Sequence, residues 1–377
     1  MNRTILSFES VCKTSDYVYA VPTATHGVFR VDINDGSGEM ELIATLDNHK
    51  LKGTGIRSAE KCGDCIYFIP FTLKERPIVV FSESDNTVRY INTDELGNSQ
   101  LGEYRPIIRV GDDLWMFPTD IKRELIIFHM NTESMENVSE WRKALRCIKY
   151  CVDNNWQKVG NVNRIGDKLY HSLIYTSYIV SIDIKTKEVQ VHELEGIDEF
   201  SAASDCHDDS IWFSLNRNCG LVQWSPDKGI ENLIKEPFKA LSIDEMKEYY
   251  SWFSILICGK EALWLVPVKD DRLIRISYQS KELEMVQLFP GVMNKSDTNF
   301  LCLEKQDGIA EVYQCRTNLS FKIDLDKDTI LQDYVQYNLD NKWNNKFRIE
   351  YESINGIIYE SDKMSVRDFT KCCENIQ

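Results

Sequence analysis

No stretch of the 377 residues approaches the roughly 18 consecutive apolar side chains of a membrane-spanning helix, and the opening MNRTILSFESVCKTSDYVYA lacks the uninterrupted apolar run of an export signal. A soluble, cytoplasmic protein is expected. Positive charge is scarce: 44 Lys and Arg face 59 Asp and Glu, a formal net charge of -15. A surface that grips nucleic-acid phosphates needs clustered cations, so nucleic acid is not expected as the main partner. Gly and Pro, at 18 and 9, are too few for a fibrous or disordered chain. Most of the 12 Cys are scattered singly through apolar runs, as in FLCLE around Cys302 and SILICG around Cys258. They read as small buried hydrophobes carrying free thiols in a reducing compartment.

Motifs that carry chemistry are missing as well. Cys62-Gly-Asp-Cys65 is a CxxC, but no second CxxC or CxxH supplies the further ligands of a structural zinc site. It also straddles a turn, where a redox pair would open a helix. The six histidines are His26, His49, His129, His171, His192 and His207, with no HxH or HExxH among them. There is no GxSxG elbow, no GxGxxG and no GxxxxGK. The stretch DGSGE, Asp35 to Glu39, has the composition of a hairpin turn and not of a calcium loop. No metal and no cofactor is expected.

What the chain does have is a repeat. A turn acid followed by an apolar-aromatic strand recurs as DYVYAVP from Asp16, DCIYFIP from Asp64, DDLWMFP from Asp112, DKLYHSL from Asp167, DSIWFSL from Asp209 and EALWLVP from Glu261. A weaker seventh copy, GIAEVYQ, starts at Gly308. Successive spacings are 48, 48, 55, 42, 52 and 47 residues, enough for four short strands and their turns. Segments such as GVFRVDI and YIVSIDI alternate with the period of a strand. The pattern predicts an all-β, seven-bladed β-propeller of four-stranded antiparallel blades over 4–343. Tyr19, Tyr67, Trp115, Tyr170, Trp212 and Trp264 share one phase of the second strand and are expected to pack blade against blade.

Two segments have helical spacing, Ser139 to Val152 and Ser242 to Tyr250, and each begins at a serine suited to an N-cap. They are expected as helical insertions between blades. In the remainder, 344–377, FRIEYESINGIIYE repeats half a copy, so the alternative is eight blades with an incomplete last one. The final residues are expected to form a short helix packed on the same domain.

The phrase resembles that of kelch-like propellers of unassigned role from anaerobic gut Firmicutes. A kelch Gly-Gly pair and a Trp-Asp pair are both absent. The resemblance implies a fold with a central channel and ligands met by loops at one face, and it carries over no catalytic residue.

Loops between second and third strands hold Lys74, Arg76, Lys122, Arg123, Arg217, Lys269, Arg272 and Arg316 against fewer acids. That face is a candidate for an anionic ligand or an acidic partner. Arg57 and Arg105 share a phase seven residues before a turn acid, and Arg109 and Arg164 share one three before. These arginines, with Lys74, Arg217, Arg272 and Arg316, are the candidate ligand-binding set. The leading functional reading is a binding scaffold for a protein partner or a small anionic ligand. The alternative is a lyase, hydrolase or transferase acting on a carbohydrate or peptide at the channel mouth, with His26 and His171 as first candidates.

Overall fold

The computed structural model describes residues 8–22, 27–51, 56–74, 76–93, 101–146, 148, 159–197, 199–216, 220–235, 253–267, 272–287, 300–314, 319–336 and 338–339. These form seven four-stranded antiparallel sheets, the blades of a β-propeller, each a meander of consecutive strands. Sheet one is β1 (Phe8–Lys13), β2 (Tyr17–Pro22), β3 (Gly27–Asp32) and β4 (Glu39–Thr45), followed by a single helical turn, α1 (Asn48–Leu51). Sheet two is β5 (Ile56–Cys62), β6 (Cys65–Pro70), β7 (Ile78–Ser82) and β8 (Val88–Ile91). Sheet three is β9 (Tyr104–Val110), β10 (Asp113–Pro118), β11 (Leu125–His129) and β12 (Ser134–Val138), and α2 (Ser139–Leu145) follows it. Sheet four is β13 (Val159–Ile165), β14 (Lys168–Leu173), β15 (Tyr178–Asp183) and β16 (Val189–Glu193). Sheet five is β17 (Phe200–His207), β18 (Ser210–Leu215), β19 (Leu221–Ser225) and β20 (Gly229–Ile234). Sheet six is β21 (Phe253–Cys258), β22 (Ala262–Pro267), β23 (Arg272–Ser277) and β24 (Leu283–Gln287). Sheet seven is β25 (Phe300–Gln306), β26 (Ile309–Gln314), β27 (Leu319–Asp324) and β28 (Thr329–Gln336), after which β29 (Asn338–Leu339) pairs in parallel with β4.

Burial explains why the second strands read as unbroken apolar runs. From their second residue onward β6, β10, β14 and β26 are buried on both faces, whereas fourth strands such as β16 are partly exposed along their length. A strand covered on both sides has no solvent face and loses its alternation. The repeated acid closes the hairpin from first to second strand. In sheets one, two, three, four and six its carbonyl oxygen accepts the N–H of Ile33, Glu83, Met130, Ile184 or Tyr278, just beyond the third strand, at 2.8 to 3.0 Å. In sheet two the Asp64 carboxylate also accepts the hydroxyls of Ser82 and Ser84 at 3.0 and 2.6 Å.

The chain divides into two compact units. The first comprises 1–95, 295–323 and 330–377 and so contains sheets one and two and most of sheet seven. Within it β1 lies beside β5 and beside β25. At the phase where other second strands carry an aromatic, β26 carries Glu311, only 4% exposed. Both carboxylate oxygens are engaged, Oε2 by Lys13 Nζ at 2.6 Å and Oε1 by Ser320 Oγ at 2.6 Å. First and last sheets are thus tied by an ion pair and by the β29–β4 pairing.

The second unit comprises 96–294 and 324–329, that is sheets three to six with the outer turn of sheet seven. Here the predicted role of the aromatics is observed directly. Trp115, Tyr170, Trp212 and Trp264 are at most 4% exposed. Each meets a residue from the outer hairpin of the next sheet. Lys187 Nζ lies 6.0 Å from the Trp115 ring centre, Trp224 packs edge-on against Tyr170 at 5.6 Å, and Lys281 Nζ lies 5.8 Å from Trp212. Asp328 accepts the Trp264 indole N–H at 3.2 Å and the Glu261 N–H at 2.9 Å. A Cβ on Gly259 would stand 2.1 Å from Asp328 Oδ1, so the close approach requires glycine there. Asp328→Ala leaves two donors without this acceptor and is expected to cost about 2 kcal/mol, while Asp328→Asn, which keeps an acceptor and tolerates the left-handed φ, is expected to cost less. Urea denaturation of both variants measures the difference.

One expectation is corrected. The helix predicted from Ser139 to Val152 ends at Leu145, with Arg146 as its C-cap, and 149–152 lie outside the described residues. Ser139 is not its N-cap. Val138 still pairs with Leu125 in the sheet and takes the cap position, with no side-chain capping bond, so Ser139 is the first helical residue. The second predicted helix, the half-repeat at 347–360 and the terminal helix all lie outside the described residues. Among the described residues no helix is long and apolar enough to cross a membrane.

Candidate binding end of the sheets

In a meander, hairpins from first to second and from third to fourth strand lie at one end, the turn end. Connections from second to third strand, and from one sheet to the next, lie at the other, the tip end. In the first unit the tip of sheet two, 71–77, carries exposed Lys74. Arg76 Nη1 reaches back to the Leu51 carbonyl at 3.1 Å, and the buried Thr93 hydroxyl donates to the carbonyls of Leu73 and Arg76 at 2.6 and 2.9 Å. Arg57, second residue of β5, holds its guanidinium 5.5 Å from the Phe71 ring centre.

In the second unit the tip of sheet three repeats the arginine clasp. Arg123 Nη1 donates to the Leu101 carbonyl at 3.0 Å, and its side chain lies so close over Gly102 that an added Cβ would stand 2.6 Å from Cδ. Arg142 of α2 pairs with Glu124 at 3.1 Å and fixes the helix to this tip. Burial holds the Tyr104 hydroxyl above its ordinary pKa, against the opposing Arg123 charge and with a smaller push from Glu124. Arg105, exposed, is the second residue of β9 and lies at the tip end of the same sheet. The tip of sheet four is bonded to the start of sheet five: Tyr175 N–H donates to the Phe200 carbonyl at 3.0 Å, and Phe200 N–H donates to the Thr176 carbonyl at 2.9 Å.

Within the second unit the described residues of the predicted ligand set are divided between the two ends of the sheets. Arg109 and Arg164 lie at the turn end, where each Nε donates to a carbonyl of its own hairpin, Gly111 at 2.7 Å and Gly166 at 2.9 Å. Along β9, Arg105 and Arg109 are four residues apart, about 13 Å at strand rise. Arg272 starts β23, and nothing of its side chain is described; Arg217, Arg316 and His26 lie outside the described residues.

His171 is a core residue. It is 0% exposed, its ring packs against Phe117 and Trp141 at 5.2 and 5.3 Å, and Nδ1 stands 3.2 Å from the Ser172 carbonyl. Burial pushes its pKa down to about 4, against a smaller opposing effect of that hydrogen bond. The ring stays neutral and out of reach of solvent. Cys62 and Cys65 pair in register across the Gly63–Asp64 turn, and neither is in a disulfide. Among the described residues no cluster of His, Cys, Asp and Glu is arranged to hold a metal. Three residues that the sequence reading passed over matter here: Glu311, Asp328 and Tyr175. Glu311 had a signal, being the one charged residue at the aromatic phase.

The geometry defines a seven-bladed β-propeller. No family model and no curated protein matches the chain. Among solved structures it is similar to YCF48 from Cyanidioschyzon merolae, at 11% identity, TM-score 0.60, covering 87% of this chain and 98% of that one. It is similar also to YCF48 bound to D1 peptide, at 11% identity, TM-score 0.57, covering 84% and 92%. A third likeness is to a virginiamycin B lyase from Staphylococcus aureus crystallised with quinupristin, at 9% identity, TM-score 0.57, covering 85% and 96%. At such identities these likenesses establish the fold alone.

Proposed function

We propose that the chain is a binding scaffold that engages a protein partner through the tip end of its sheets. One observation carries this reading. In the second unit the turn-end side chains Lys187, Lys281 and Asp328 are spent on packing neighbouring sheets together. The tips, by contrast, are pinned by backbone bonds while presenting Lys122, Arg105 and Tyr175 outward. Rigid scaffolds that carry exposed loop residues are the usual platform for recognition. The propeller that takes up D1 peptide supports the reading by analogy of fold. The kelch-like resemblance belongs to the same proposal and rests on the repeated turn-acid phrase. The cytoplasmic assignment is supported by Cys12, Cys62, Cys65, Cys206 and Cys258, none of which is in a disulfide. A small anionic ligand would be met by Arg105 and Lys122 in the second unit or by Lys74 in the first.

Affinity capture at natural expression level, followed by lysine cross-linking, tests the proposal. A stable partner cross-linked to Lys122 and Lys143 is expected. No stable partner, or cross-links confined to the turn-end lysines Lys185, Lys187, Lys228 and Lys281, would refute it.

A further inference from the structure

Across the first hairpin of sheet two the chain places one cysteine directly opposite another. Cys62 ends β5, Cys65 begins β6, and the two are antiparallel partners at the last rung before the Gly63–Asp64 turn. Both are partly exposed. Three other described cysteines lack such a neighbour: Cys12 stands opposite Tyr19, Cys206 opposite Ile211 and Cys258 opposite Leu263. In sheets three, four, five and seven the same rung holds Val110 and Asp113, Ile165 and Lys168, His207 and Ser210, and Gln306 and Ile309. The rung therefore belongs to the repeat, and sheet two fills it with two thiols.

Direct partners in an antiparallel pair point to the same face of the sheet, with Cα atoms about 4.5 to 5.5 Å apart. A disulfide spans Cα separations of about 4.4 to 6.8 Å, so this rung lies within its range. The turn holds the rung in place. Gly63 supplies a left-handed φ of 58°, the Asp64 carbonyl accepts the Glu83 N–H at 2.9 Å, and the Asp64 carboxylate accepts the Ser82 and Ser84 hydroxyls. On its other side Cys65 is the partner of Ser82 in β7. A strand registered on both neighbours keeps the two cysteines opposed. No helix begins at this turn to activate a thiolate, which sets the pair apart from an oxidoreductase centre and leaves it as a target of oxidants.

We propose that Cys62 and Cys65 form a redox modification site, oxidised to a hairpin disulfide by low-molecular-weight disulfides of the glutathione type and reduced again by thiols. The Cys65 thiolate attacks one sulfur of the small disulfide, forming a mixed disulfide and releasing one small thiolate. The Cys62 thiolate then attacks Cys65 Sγ and expels the second small thiolate. Together the two cysteines lose two electrons and two protons. The small disulfide takes both electrons, and the protons end on the two small thiols. The site lies at the turn end of sheet two and stands independently of the partner reading above.

The test equilibrates the full chain with reduced and oxidised glutathione at fixed ratios, blocks the remaining thiols by alkylation and maps peptides by mass. The expected product is a peptide spanning 62–65 that is lighter by two hydrogens, takes no alkyl group, and takes two after dithiothreitol. Cys62→Ser, a small change at a partly exposed position, is expected to stop at a glutathione adduct on Cys65. Because the hairpin holds the pair together, the folded chain is expected to form the bond at a glutathione ratio about tenfold more reducing than the same chain in urea. Two alkylated cysteines in the folded chain at the most oxidising ratio, or an unmodified Cys65 in Cys62→Ser, would overturn the site. So would a bond that forms equally readily in urea, since the pairing would then owe nothing to the fold.

Discussion

Lys13→Met is expected to destabilise the protein by about 3 to 5 kcal/mol, because it leaves the Glu311 carboxylate buried without its cation. Glu311 is 5% exposed at its side chain and Lys13 20%. The Ser320 hydroxyl alone cannot replace a charge partner at that depth. Replacing both groups, as Lys13→Met with Glu311→Leu, is expected to recover most of the loss, since an apolar pair carries no desolvation penalty. The logic follows from the other sheets, where the same phase is filled by an aromatic side chain. Urea midpoints of the two single variants and the double variant give the coupling. A Lys13→Met loss below about 1 kcal/mol would mean that the pair is solvated and that closure of sheet seven on sheet one rests on β29 and apolar contacts.

His171 gives the second large effect. Its pKa in the folded chain is depressed to about 4 from 6.5, so the unfolded chain binds the proton more readily. The stability contributed by the neutral ring is therefore complete above about pH 6.5 and is lost as pH falls toward 4. At about 1.4 kcal/mol per unit, the full loss is about 3 kcal/mol, undiminished by solvent because the ring is fully enclosed. His171→Phe places at this phase the residue that Phe68 and Phe213 supply in sheets two and five. That variant is expected to lose less stability than the wild type between pH 7 and pH 4.5. Parallel stability curves for the two proteins would contradict the burial of a neutral imidazole.

The fold was legible because the repeat is written in physical terms that survive sequence drift. In five of the sheets a turn acid ties three strands through its carbonyl, and second strands such as β6, β10 and β14 are apolar on both faces. The aromatic phase was readable for the same reason, and Trp264 and Tyr170 lie where it placed them. The partners of those rings were not readable. Lys187, Lys281 and Asp328 are ordinary surface residue types in ordinary turns, and their role comes from the approach of a neighbouring sheet. In the second unit Arg105 and Arg109 stand apart for a related reason. Phase within a strand fixes which face a side chain takes, but Arg105 and Arg109 share a strand and still belong to opposite ends of it. His171 was attractive as a lone histidine on a second strand, yet that strand is buried on both sides from its second residue onward. Tyr175 had no sequence signal, since its backbone conformation is imposed by Phe200, 25 residues away.

Hydrogen exchange of the captured complex against the free protein tests the central claim, recognition at the tip end, most directly. Slowed exchange is expected at 119–124, 174–177 and 199–201 of the second unit, with 184–188, 226–228 and 278–282 unchanged. Protection confined to those turn-end segments would contradict it.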